Sequence, residues 1–384
     1  MAAFALTGAA VFDGDTTREG TAVIVSDGLV EAVRPQAELP AGMRCTELDG
    51  GLIAPGFIDL QVNGGGGVLL NENPTVDGVR AICAAHRRFG STALLPTVIT
   101  DRPEITFAAI DAVEAAMAAG VPGCLGIHVE GPFISQARKG AHDPSLIRAM
   151  TDADVERFLA TQVRPLLLTV APESVSNARI ERLAAAGILV SLGHTDTDFE
   201  TAMSAFAAGA RCGTHLFNAM SQLGHREPGV VGAALERDDA WCGIIADGHH
   251  VHTAAIRIAL RAKRGAGRVF AVTDAMATVG VADNVFWLNG RRVTRRDGRL
   301  TLDDGTLAGS DLTMIGAVRY LRDVVGVPFE EALRMASLYP AECLCDRTRG
   351  RLAPGRRADL VWLDGESRVG ATWIDGQVEW VAAA

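Results

Sequence analysis

Eight times along the chain a short apolar run ends on a polar residue able to do chemistry. The runs span 58–62, 92–96, 125–129, 166–170, 188–193, 212–214, 242–246 and 269–273. After them come Asn63, Thr97, Glu130, Pro172 with Glu173, His194, His215, Asp247 and Asp274. Between most of the runs lie helix-like stretches, at 77–90, 103–119, 174–186, 198–208 and 253–262. Buried strands alternating with amphipathic helices predict an α/β fold with a parallel sheet. Eight such units predict a TIM-like (β/α)8 barrel, whose active site gathers at the C-terminal strand ends.

The chain outside the alternation reads differently. Residues 1–54 lack helical periodicity and carry short strands at 22–25 and 29–33 around an Asp27-Gly28 turn. The tail from Arg351 returns to strands at 359–363, 371–374 and 378–381, separated by Asp-Gly turns. These segments predict one small β-sandwich domain built from both chain termini, residues 1–54 and 351–384, beside a barrel of residues 55–350. A β-like patch at 285–306, with turns at Asn289-Gly290, Asp297-Gly298 and Asp304-Gly305, follows the eighth run. Two helical segments come after it, near 312–325 and 329–344.

At 384 residues the chain has room for a barrel of about 250 residues and a smaller module. A net charge of −10 argues against a nucleic-acid partner or an anionic membrane surface. No uncharged apolar stretch reaches the length of a membrane span. The seven cysteines are scattered without a CxxC pair, which predicts reduced thiols and a cytoplasmic location.

Two imidazoles and a carboxylate, His194, His215 and Glu130, suit Zn²⁺ and leave a fourth position open for water. The ion would lower that water's pKa to about 7. A single histidine at a strand end is more often structural, but three such residues at strand ends point to a metal site. Asp274, ending the eighth run, reads better as a helix cap when taken alone; opposite a metal site it reads as the group that moves a proton to and from the reaction. Arg226 lies in an irregular loop after the sixth run with Asn218; its fork suits a phosphate, or it pairs with Glu227 at the surface. His250 and His142 read either as pocket residues or as solvent-facing ones. The glycines at 64–67 match no phosphate-binding motif and read as a loop of close backbone approach near the barrel mouth.

Taken together these residues give the chain a resemblance to the N-acetylglucosamine-6-phosphate deacetylases of the amidohydrolase superfamily. It rests on Pro-Gly-Phe-Ile-Asp at 55–59, His-Val-Glu-Gly-Pro-Phe at 128–133, Lys-Gly-Ala-His at 139–142 and Gly-His-Thr at 193–195. It continues through His-Leu-Phe-Asn-Ala-Met at 215–220, Arg-Glu-Pro-Gly at 226–229, Ile-Ala-Asp-Gly at 245–248, Val-Thr-Asp-Ala at 272–275, Leu-Thr-Met at 312–314 and Ala-Asp-Leu-Val at 358–361. The resemblance implies removal of acetate from N-acetyl-D-glucosamine 6-phosphate, in amino-sugar catabolism and cell-wall recycling. It implies one divalent metal ion per subunit, best suited to zinc, on Glu130, His194 and His215, with Asp274 as general acid and base. The substrate would meet Ala141, His142, Asn218, Ala219, Asp247, His250, Leu312, Thr313 and Met314. Arg226 would reach the phosphate from the partner subunit of a homodimer. Many amidohydrolases hold a second metal with a His-x-His pair after the first strand. Here those positions are Gln61 and Asn63, poor ligands beside imidazole and carboxylate, so the second site would be vestigial. Deacetylation of another acyl-amine, or a silent sugar-phosphate sensor on the same fold, stay open at this level, as does any contact of His128 with the pocket.

Overall fold

A computed structural model of the chain describes residues 3–382. At its centre eight parallel strands follow chain order: β1 (Phe57–Val62), β2 (Ser91–Ile99), β3 (Ile127–Glu130), β4 (Leu166–Val170), β5 (Leu189–Leu192), β6 (Cys212–Gly213), β7 (Trp241–Ile245) and β8 (Val269–Val272). The ring closes just past the strand ends. There Val62 bridges Ala275, and the Asp274 N–H donates to the Gln61 carbonyl at 2.9 Å.

Each strand leads to a helix: α1 (Val76–Arg87), α2 (Pro103–Ala118), α3 (Asp152–Leu159), α4 (Asn177–Ala185), α5 (Phe199–Ala207), α6 (Gly229–Glu236), α7 (Thr253–Ala262) and α8 (Met314–Tyr320). The apolar periodicity did not reveal α3 or α6, for different reasons. In α6 seven of eight residues are buried, so no polar face alternates with an apolar one. In α3 the stripe is short, and the better signal is its capping box, Thr151 with Asp154.

Successive strand residues face opposite sides of the barrel wall. Ile58, Leu60, Ala93, Leu95, Phe270 and Val272 fill the interior, and the helix Leu338–Cys343 closes its floor with Ala341 and Cys343. Val98, Ile110, Phe158 and Leu183 belong to the layer between strands and helices. With apolar side chains below, the polar groups collect at the C-terminal mouth.

Two further sheets form the β-sandwich. One runs Leu29–Pro35, Thr21–Ser26, Phe4–Thr7, Arg44–Glu47. The other interleaves both ends of the chain: Gln377–Val381, Val369–Ile374, Leu360–Leu363, Leu52–Pro55, Ala10–Phe12, Thr17–Arg18. Leu6, Val23, Ile53, Leu360 and Trp373 share the core between them.

The patch after β8 is a four-stranded meander, Val285–Leu288, Arg291–Arg296, Arg299–Leu302 and Leu307–Ser310. Asn289-Gly290 and Asp297-Gly298 turn it with both residues at positive φ, as tight hairpins require. Leu288, Val293, Leu300 and Leu302 pack with Met276 and Leu69, laying the sheet across the barrel mouth. Gly309 makes the approach possible: a Cβ there would lie 2.7 Å from Met276 Sδ and 2.9 Å from the Asp274 carbonyl. The glycine run at the mouth is likewise a close approach, since a Cβ on Gly64 would sit 2.3 Å from the Val68 carbonyl. No helix among the described residues is long and apolar enough to cross a membrane.

Candidate metal centre

Glu130 ends β3, and His194 and His215 each stand two residues beyond β5 and β6. His194, His215 and Asp274 all adopt the left-handed backbone region, with φ of 48°, 33° and 53°. That region costs an L-residue about 1–2 kcal/mol, and such outliers cluster where side-chain aim matters more than local comfort. The result is convergence. Glu130 Oε1 is 3.0 Å from His215 Nε2 and 3.2 Å from His194 Nε2, and the two imidazole nitrogens are 3.0 Å apart. A tetrahedral ion with bonds of about 2.0–2.1 Å spaces its ligand atoms by roughly 3.3 Å. The triangle therefore needs to open by only a few tenths of an ångström, and the donor set fits a divalent metal.

All three side chains are buried. Burial alone would raise the Glu130 pKa, but hydrogen bonds from His194 and His215 outweigh it and hold the carboxyl well below its usual range. Burial would lower His215, yet the Glu130 hydrogen bond and charge raise it. A cation in the triangle would balance the Glu130 charge. His194 Nδ1 lies 2.9 Å from the Arg138 carbonyl, which turns its Nε2 to the centre. His142, packed on the His194 ring at 4.3 Å, bonds Thr100 Oγ1 at 2.7 Å. Burial, then the neighbouring His194, push its pKa well down, so it is neutral.

Asp274 faces the triangle through two amides. Asn63 Nδ2 donates to its Oδ1 at 2.7 Å; Gln61 Nε2 reaches the same atom at 3.2 Å and Glu130 Oε1 at 3.0 Å. Burial, followed by the Glu130 charge, raises the Asp274 pKa to about 6. Below it Asp59 accepts from the Thr273 N–H and hydroxyl at 3.2 and 2.6 Å, tying β1 to β8. Burial pushes the Asp59 carboxyl up to about 7.

A cavity of about 380 Å3 opens over this centre, within the size of small-molecule sites. It gathers Asn63, Glu130, Ala141, His142, His194, His215, Asn218, Ala219, His250 and Asp274 from the sequence-derived candidates. Others lie elsewhere. Gln61 sits behind the carboxylates it bridges. Asp247 stands behind His250: its Oδ2 is 2.6 Å from His250 Nδ1, and its Oδ1 accepts the backbone N–H groups of His249 and His250. Leu312, Thr313 and Met314 are outside the lining, because Thr313 caps α8 and Met314 is fully buried beneath it. Arg226 is exposed on the loop after β6, away from this cavity, and Glu227 instead accepts the N–H groups of Phe199 and Gly229. His128 lies under the centre, bonded to Thr169 Oγ1 at 2.7 Å. Sequence reasoning missed the meander's contribution, Leu288 and residues 306–309, along with Arg138. Its three Asn-Gly or Asp-Gly turns between β8 and α8 marked an inserted sheet but not which way it folds.

Residues 52–379 match the amidohydrolase family, and residues 3–53 match the NagA composite domain. The chain belongs to the amidohydrolase family. Among amidohydrolases with assigned activities, the N-acetylgalactosamine-6-phosphate deacetylase of Shewanella sp. (strain ANA-3) is 43% identical, covering 97% of this chain and 94% of its own. The crystal structure of N-acetylglucosamine-6-phosphate deacetylase from Pasteurella multocida superposes with a TM-score of 0.95 at 32% identity, over 99% of this chain and 100% of that one. An aspartate-to-alanine mutant of the Mycobacterium smegmatis deacetylase, in complex with N-acetyl-D-glucosamine-6-phosphate, superposes at 0.91 and 32%, with the same coverage. Amidohydrolases depend on metal, and the Glu130–His194–His215 triangle is where this amidohydrolase could hold it.

Proposed function

We propose that the chain hydrolyses N-acetyl-D-glucosamine 6-phosphate to D-glucosamine 6-phosphate and acetate, as a cytoplasmic homodimer with one zinc ion per subunit. The observation that carries this reading is the converging triangle of Glu130, His194 and His215, with Asp274 one amide away from Glu130. Similarity to deacetylases of hexosamine 6-phosphates along nearly the whole chain supports the substrate class. Free cysteines suit a reducing compartment. Where a second ion would need ligands, the amide N–H groups of Gln61 and Asn63 already point at Glu130 and Asp274, which supports a single metal.

Zinc would supply Lewis acidity and lower the pKa of a water to about 7. Asp274, held on one oxygen by Asn63 and Gln61, takes the water's proton on its other oxygen and returns it to the nitrogen as the C–N bond breaks. His250 gives Nδ1 to Asp247, leaving Nε2 for the cavity. With Nδ1 held on Asp247, Nε2 is placed to face the acetamide oxygen, where negative charge grows. Asp247 therefore acts through His250. Asn218, the Ala219 backbone, Ala141 and His142 meet the sugar.

The metal favours the ionised form of Asp274. Activity should therefore hold at neutral pH and fall as pH drops through a value no higher than about 6. A profile of kcat against pH on metal-saturated enzyme checks this; an acid limb above 6 would count against Asp274 as the base.

Among the described residues lining the cavity, Arg138 is the only arginine or lysine, and Asp196 occupies its guanidinium at 2.7 Å. The phosphate then needs a cation from outside, which supports Arg226 of a second subunit. Arg226→Ala should lower kcat/KM for the phosphorylated sugar by about 30-fold or more and leave unphosphorylated N-acetylglucosamine unaffected. Mixing Arg226→Ala with Asp274→Asn subunits should restore activity, because each mixed dimer regains one complete site. No restoration in a mixed dimer would argue for a role within the subunit.

The identity to the Shewanella enzyme favours a second reading, the 4-epimer N-acetylgalactosamine 6-phosphate. Acetate release from both epimers and from unphosphorylated N-acetylglucosamine decides between them; release from none would overturn the deacetylase reading.

A further inference from the structure

The two histidines of the metal centre are held differently. His194 has the Arg138 carbonyl on its Nδ1, whereas His215 Nδ1 is buried with no hydrogen-bond partner among the described residues. A ligating imidazole nearly always gives its second N–H to an oxygen, which fixes ring and tautomer. Beneath the His215 ring lies a small cavity of about 10 Å3, whose wall includes His128, Ser191 and Thr214. That is room for one water.

The polar wall continues as a buried chain of hydrogen bonds across β3 to β6. His128 Nε2 is 2.7 Å from Thr169 Oγ1, Thr169 Oγ1 is 2.7 Å from Thr214 Oγ1, and Thr214 Oγ1 is 2.6 Å from Ser191 Oγ. Leu60, Leu167 and Phe270 surround it. A hydroxyl chain has no packing value among such neighbours, and its members Thr214 and Ser191 line the same small cavity as His215. Ser191 Oγ has Thr214 as its partner and capacity for another.

We propose that this cavity is a binding site for a single water that fixes His215 for metal binding. The His215 Nδ1–H donates to the water, and the water donates to Ser191 Oγ, so Nε2 keeps its lone pair for the ion. Ser191 and Thr214 are then positioning residues, acting on the metal only through His215. This rests on the reading of His215 as a metal ligand.

The test measures zinc affinity by chelator competition, together with ring ¹⁵N spectra of the histidines in the zinc-loaded protein. Ser191→Ala and Thr214→Val should bind zinc about 10–100-fold more weakly, and Thr214→Ser should stay close to wild type. The His215 Nδ1 proton should be a single, exchange-protected signal in wild type and exchange faster in Ser191→Ala. Should Thr214→Val fail to fold, Ser191→Ala, which removes only one oxygen, carries the comparison. Unchanged affinity and unchanged His215 signals in Ser191→Ala overturn the water site. Wild-type protein that binds no zinc overturns the metal-centre reading instead, and the two failures are distinguished by that control.

Discussion

Asp274→Asn is expected to cut kcat by about 10³-fold, within the 10²–10⁴ that a positioned acid–base group contributes, and to leave metal content unchanged. The substitution is nearly isosteric. An amide oxygen can still accept from Asn63 and Gln61, which now meet the carboxylate at 2.7 and 3.2 Å. The amide nitrogen then replaces the oxygen facing the cavity and has no lone pair with which to take a proton. Glu130, His194 and His215 keep their mutual contacts, so metal analysis should still find the ion. The acid limb of the pH profile should disappear with the carboxylate. Metal-replete Asp274→Asn protein with wild-type turnover would remove Asp274 from the mechanism.

The second large effect is expected at a proposed ligand. His215→Asn should abolish metal retention through dialysis and lower activity by at least about 10³-fold, since Lewis-acid stabilisation worth several kcal/mol is lost. Asparagine is the better probe than alanine because position 215 has a φ of 33°, a region asparagine tolerates. The backbone contact that anchors the loop, Leu216 N–H to the Gly243 carbonyl at 2.7 Å, is untouched. The variant should therefore melt close to the metal-free wild type, though below the metal-bound form, whose stability includes the binding energy. Metal analysis, acetate release and thermal denaturation on one preparation check all three statements. Retention of one ion per subunit with full activity would show that the triangle is not the metal site.

The barrel was legible because a strand buried on both faces writes itself as an unbroken apolar run, and the candidate ligands were legible because they stop those runs. Position along a strand tells how high a residue stands in the barrel, but not what stands in front of it. Asp247 and His250 follow the same strand, yet three residues of loop put the histidine at the cavity and the aspartate behind it. Leu312, Thr313 and Met314 resemble a pocket motif but do not line the cavity, and Thr313 and Met314 begin a helix. The meander residues 306–309 carry no reactive group, so nothing in their chemistry announced that they line the site. For Arg226, a single subunit leaves the side chain exposed whatever its role.

The interleaved sheet of the sandwich has a consequence for how the chain is made. Leu52–Pro55 pairs with Leu360–Leu363, which leaves the ribosome about 300 residues later. At about 5–20 residues per second that interval is about 15–60 s. Throughout it the nascent strand offers an open edge, the kind that recruits the wrong neighbour. The barrel is itself being made during this wait, and the first module is sealed only after it. Crowded polysomes, where identical unfinished edges lie side by side, are where this enzyme is most exposed to misassembly.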